Sequence, residues 1–168
     1  LILARSWDNA CNDEGPPAYK EIKIDKTLPS ATTIYLFGSM GTNGWYKSNV
    51  GVELEGNDNP GGSGMAGIDY SLNGGANWLP YFSQVSVTTA GNTTVLARTQ
   101  DNAGNLESPP ASRTFKIDKT APSATETVIP AQVTSKRAGT MYNISYNGTA
   151  SDSGSGLSVV NTTLIDEY

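Results

Sequence analysis

The chain has 168 residues, with 11 Lys and Arg against 16 Asp and Glu, no histidine, one cysteine and a pI near 4.6. An acidic chain of this kind lacks the cationic surface that releases phosphate counterions, which argues against nucleic acid and anionic membranes as partners. Without histidine the commonest general base and zinc ligand is missing, and Cys11, alone in the sequence, cannot close an intramolecular disulfide.

From the N-terminus, an apolar stretch around Ile2 leads into Asp8-Asn-Ala-Cys-Asn12 and then, past two prolines, into Lys23-Ile-Asp-Lys-Thr27. Thr32-Thr-Ile-Tyr-Leu-Phe37 is a β-branched and aromatic run closed by Gly38, and it predicts a strand. In the next run Val50, Val52 and Leu54 alternate with Glu53 and Glu55, the period of a half-buried strand. Ile68, Tyr70 and Leu72 repeat that alternation, as do Val85 and Val87, then Val95 and Ala97, then Phe115 and Ile117, all expected to point inward. No window carries a helical stripe, and no apolar run approaches the roughly 18 residues that span a bilayer. Six or seven short strands between turns predict an all-β fold, an antiparallel sandwich. Pro29 and Pro122 follow the two Lys-Ile-Asp runs and end their ladders, because proline has no N–H to donate.

The first stretch returns later in the chain. Ile2–Pro29 overlays Val95–Pro122 without a gap at an offset of 93 (95 − 2), and about 17 of these 28 positions are identical. A period of that size is close to an immunoglobulin-like sandwich of about 100 residues. Three divisions follow: residues 1–27 as the last strands of a truncated module, 28–120 as a complete module, and 121–168 as the first part of another, as expected of a piece of a longer array. The Asp118–Pro122 linker is so short that successive modules are expected to stand end to end with little freedom. A module without all its strands cannot cover both inner faces, so the two ends are expected to be trimmed by proteases before the middle.

Several motifs carry competing readings. Ser71-Leu-Asn-Gly-Gly-Ala-Asn-Trp78 resembles the Asp-box turn of sialidases with Asn73 in place of the aspartate, but Asn-Gly-Gly between two alternating runs is also an ordinary hairpin signal. Trp45, Tyr46, Trp78 and Tyr81 are either a platform for stacking sugars or part of the sandwich core. Glu53 and Glu55 share one strand face with no opposing wall, so no pair of carboxylates is set for glycoside chemistry, and the chain is not expected to be an enzyme. Sequons occur at Asn92, Asn143, Asn147 and Asn161, about as many as this Asn-, Ser- and Thr-rich composition produces by chance, so they do not establish glycosylation.

Three motifs in combination, the Ser-Gly loop from Asp58 to Gly64, Asp-Asn-Ala-Gly-Asn at 101–105 and Asp-Lys-Thr-Ala-Pro at 118–122, resemble the tandem bacterial immunoglobulin-like repeats of large surface adhesins and modular exoproteins. The resemblance implies a non-catalytic stalk or spacer at the cell surface or outside the cell, with neighbouring modules of the same protein as its partners. The alternative is a carbohydrate-binding accessory module of a secreted glycoside hydrolase, with glycans as ligands. In such a sandwich the second-to-third and sixth-to-seventh strand loops share one pole with the incoming joint, which brings Asp25, Asp58 and Asp101 together, flanked by Asn57, Asn59 and Asn102. Oxygen-only clusters suit calcium, and the resemblance implies calcium at such joints. Against this stands the reading that each Asp only caps its own turn. The second joint keeps only Asp118 and Asp152, so one competent site is expected.

Overall fold

The computed structural model describes residues 2–128 and 147–161, and among them the chain is all β, with no helix. β1 (Ile2–Ala4) and β2 (Ala18–Lys20) pair antiparallel. The middle of the chain forms β3 (Thr33–Phe37), β4 (Trp45–Tyr46), β5 (Val50–Glu55), β6 (Met65–Ser71), β7 (Leu79–Pro80), β8 (Val85–Val87), β9 (Gly91–Asp101) and β10 (Ala111–Ile117). β11 (Ser123–Val128) then pairs antiparallel with β12 (Asn147–Ser151).

The middle strands make two sheets, one ordered β3-β5-β8 and the other β4-β10-β9-β6-β7. Every neighbouring pair is antiparallel except β4 and β10, which run parallel with Lys116 opposite Trp45 and Ile117 opposite Tyr46. The sheets share one core, so the arrangement is sandwich-like. Ile34, Val50, Val52, Leu54 and Val87 from the first meet Tyr46, Ile68, Val95, Ala97, Phe115 and Ile117 from the second. These are the alternate positions of each run, because successive side chains on a strand point to opposite faces. Burying each of the larger aliphatic side chains contributes about 1.5–3 kcal/mol.

The alternation fails at one place. Leu72 is exposed, and Ser71 beside it is buried. β6 ends at Ser71, whose hydroxyl accepts the N–H of Gly75 at 3.0 Å and donates to Asn73 Oδ1 at 2.8 Å. The chain turns there, so the period of two no longer governs Leu72. Ser71–Trp78 is thus the turn of a hairpin, with Asp69 opposite Pro80 and Tyr70 opposite Leu79.

Candidate functional site

Asp25, Asp58 and Asp101 lie on three separate segments, and one carboxylate oxygen from each is within 4.8 Å of the others. Asp25 precedes the first strand of the middle unit, Asp58 opens the β5–β6 loop, and Asp101 ends β9. The two loops are stitched together: Asn102 N–H donates to the Gly64 carbonyl at 2.8 Å, and Asn102 Nδ2 to the Ser63 carbonyl at 3.0 Å. Ala103 N–H reaches the Ser63 hydroxyl at 3.0 Å. The incoming segment is tied to both loops, because Ser63 N–H donates to Asp25 Oδ2 at 2.7 Å and Asn105 Nδ2 to the Asp25 carbonyl at 3.3 Å.

Each carboxylate also serves its own turn. Asp101 Oδ1 accepts from the N–H groups of Ala103 and Asn105, and its Oδ2 from Asn105 Nδ2 at 2.7 Å. Asp58 accepts from Asn59 N–H at 2.8 Å and Gly64 N–H at 2.7 Å. Asp25 Oδ1 accepts from Thr27 N–H at 3.0 Å. That contact first, and the one from Ser63 second, hold the Asp25 carboxyl below its ordinary range, since both stabilise the ionised form. A carboxylate oxygen has two lone pairs, so these bonds leave acceptor capacity on every Asp. The ion pairs of the described residues, Arg5–Asp13 and Arg98–Asp69, do not touch the cluster.

Of the flanking asparagines, Asn59 places its side-chain oxygen beside Asp58 Oδ2. Its Oδ1 is buried and receives no hydrogen bond. It crowds the same spot as Asp58 Oδ2: a Cβ on Gly62 would stand 2.5 Å from the carboxylate oxygen and 2.8 Å from Asn59 Oδ1. Asn102 spends its amide as a donor to Ser63, and Asn57 contributes its backbone carbonyl to Ser30 N–H at 3.0 Å.

The second joint repeats part of this. Asp118 Oδ2 accepts Ser155 N–H at 2.7 Å as Asp25 Oδ2 accepts Ser63 N–H, and Asp118 Oδ1 accepts Thr120 N–H at 2.9 Å. Thr120 and then Ser155 hold the Asp118 carboxyl below its ordinary range. Asp152 accepts from Gly154 and Gly156 N–H. Among the described residues only Asp25, Asp58 and Asp101 form a three-acid group.

The Asp-Asn-Ala-x-Asn motif builds the same turn in both copies. Asp8 Oδ1 accepts from Ala10 and Asn12 N–H and its Oδ2 from Asn12 Nδ2, bond for bond as at Asp101. The fourth position of this turn has positive φ, 89° at Gly104 and 67° at Cys11. Glycine suits it, and Cys11 occupies it at a conformational cost.

Glu107 was not singled out in the sequence, and it is a central buried group beside this joint, 6% exposed. Both its oxygens accept Thr32 N–H at 3.1 Å, Oε2 accepts the Thr32 hydroxyl at 2.5 Å, and Thr99 N–H donates to it at 3.0 Å. The signal was present: a glutamate follows each Asp-Asn-Ala-x-Asn turn two residues on, at Glu14 and Glu107.

The four aromatic residues do not converge. Tyr46 is buried with its ring edge-on to Phe115 at 6.1 Å, and Tyr81 stands edge-on to Tyr70 at 6.5 Å against the core. Trp45 and Trp78 are half-buried, the first under Lys116 Nζ at 4.8 Å and the second under Arg98 at 4.0 Å. Lys116 pairs with Asn92 on β9, six residues from Arg98, so the two indoles sit roughly 20 Å apart along the strand. Asn92 and Asn161 are exposed; Asn143 and the side chain of Asn147 lie outside the described residues. No helix among the described residues is long and apolar enough to cross a membrane. Compared with known protein families and with curated proteins, the chain finds no match.

Proposed function

We propose that the chain is a non-catalytic spacer, an end-to-end array of immunoglobulin-like modules forming a rigid segment of a prokaryotic cell-surface or secreted protein, with calcium held at the joint of Asp25, Asp58 and Asp101. The observation that carries this reading is the repeated joint contact: Asp25 to Ser63 N–H and Asp118 to Ser155 N–H, each at 2.7 Å. A flexible tether has no need of a side chain that pins one unit to a loop of the next, let alone the same pin twice. The surface location rests on the resemblance of the repeats.

Calcium fits the donor set. Oxygens about 2.3–2.6 Å from one ion lie within about 5 Å of each other, which the 4.8 Å grouping of the three carboxylates satisfies. Asn59 Oδ1, buried without a donor, is a further oxygen whose desolvation a cation would offset. The ion would neutralise acceptors that no Lys or Arg among the described residues compensates and tie the incoming segment to both loops.

Small-angle scattering should give an elongated particle for the dilute chain, and a compact one would sink the spacer reading. Extracellular calcium modules bind with a Kd of about 10⁻⁴ to 10⁻³ M. At ten times Kd the stabilisation is RT ln 11, about 1.4 kcal/mol, which raises Tm by about 6–11 °C in a domain of this size. Asp58→Ala should abolish that rise. Identical melting curves in millimolar calcium and in chelator would reject the calcium site and leave the spacer standing.

A further inference from the structure

Consecutive residues hold the linker that leaves the middle unit from both sides. Asp118 N–H donates to the Tyr46 carbonyl at 2.8 Å, which carries the contact between β10 and β4 one residue past Ile117. Lys119 then reaches across the pole to the other sheet, where its Nζ donates to Asn49 Oδ1 at 2.9 Å and to the Thr88 carbonyl at 2.8 Å. Asn49 immediately precedes β5 and Thr88 immediately follows β8, and these strands pair at that point, with Val50 opposite Val87. The linker is thereby fastened to both sheets of the middle unit.

In the forward direction the Asp118 carboxylate holds a loop of the last segment. Its Oδ2 accepts Ser155 N–H at 2.7 Å, and the loop passes so close that a Cβ on Gly154 would stand 2.4 Å from that oxygen. Little freedom is left in between. Thr120 N–H is held by Asp118 Oδ1, Pro122 fixes its own φ, and Ala121 ahead of it is restricted to extended conformations. β11 begins at Ser123, which already pairs with Ser151. Asp118, the linker, that rung and the stretch 152–155 therefore close a ring.

We propose that Asp118 and Lys119 form a two-way clamp, Lys119 gripping the middle unit and Asp118 the following one, which fixes the direction in which the second unit leaves the first. The proposal rests on the modular reading above and deepens it, because it gives the second joint a lock that needs no ion. Lys119 grips neutral oxygens, and neither residue belongs to an ion pair among the described residues. Salt screens paired charges, so this clamp should hold in high salt and in chelator, unlike a joint held by calcium. The two grips act in series: losing either frees the direction, and losing both frees it no further.

Residual dipolar couplings of the full chain test this. The amides of the middle strands and those of Ser123, Ala124, Ala150, Ser151 and Ser155 should fit one alignment tensor, with order parameters of about 0.85 on both sides of the linker. Lys119→Met keeps most of the apolar stem and removes the donors. It should shrink the couplings of the second set, leave those of the middle strands unchanged, and lower the order parameters at Ala121 and Ser155 below about 0.6. Gly154→Ala touches only the forward grip and should do the same, and the double variant should do no more than the larger single change. Separate tensors in the parent, a single tensor surviving in either variant, or additive losses in the double would overturn the proposal. Scattering decides the spacer reading separately, since an elongated particle with two tensors would leave the spacer standing without the clamp.

Discussion

Replacing Glu107 by alanine would remove the acceptor that joins the start of β3 to β9. The side chain takes Thr32 N–H at 3.1 Å and Thr99 N–H at 3.0 Å, and both residues are buried. The Thr32 and Thr99 hydroxyls retain each other at 2.8 Å, so the two N–H groups carry the damage. An unsatisfied buried donor costs about 1–3 kcal/mol, and the pair therefore about 2–6 kcal/mol. A domain of about 90 residues has some 5–14 kcal/mol in total, so Glu107→Ala should consume a substantial share of its stability and, at about 4–8 °C per kcal/mol, lower Tm by at least about 8 °C. Glu107→Gln keeps one acceptor oxygen and should lose roughly half as much. Circular dichroism melts with matching urea titrations measure both, and the denaturant slope should not change, because the same surface is exposed on unfolding. A Glu107→Ala protein melting within a few degrees of the parent would refute the reasoning, and would mean that water enters and replaces the carboxylate.

Two further outcomes follow from the joints and turns. A Cβ on Gly104 meets nothing within 4 Å, so Gly104→Ala pays only for its φ of 89° and should cost about 1–2 kcal/mol by urea titration, while Cys11→Gly should tighten the matching turn in the first segment and slow its amide exchange. Because backbone N–H groups depress the Asp25 and Asp118 carboxyls below their unfolded value, the stability they contribute is full above about pH 4 and is lost as pH falls through their lower folded values. Exchange at the Ser63 and Ser155 amides should therefore rise steeply on acidification below pH 4, and a flat profile from pH 6 to 3 would contradict the assignment.

The strands were legible because half-buried strands write a period of two. The inward choices at Val50, Val52, Leu54, Val95, Ala97, Phe115 and Ile117 are all buried. Leu72 was misread because the alternation was carried one residue past a turn that Ser71 closes. β4 and β7 are two residues each, too short to show any period, and the parallel pairing of β4 with β10 has no local signal. The three aspartates were legible because alternating strand directions bring particular loops to one pole. Glu107 was not, since a glutamate in a polar loop looks solvated until the threonine 75 residues away is placed against it.

The two ends of the middle unit bear on how it would carry tension. β10, from which the chain leaves, is held by β9 on one side and by the parallel β4 on the other. β3, through which the chain enters, is bound along five positions to β5. Pulling the joints apart draws β3 and β10 lengthwise past their neighbours, so the rungs of each ladder must yield together rather than peel one after another. A tether built this way would pass a load on with little extension and then give way abruptly.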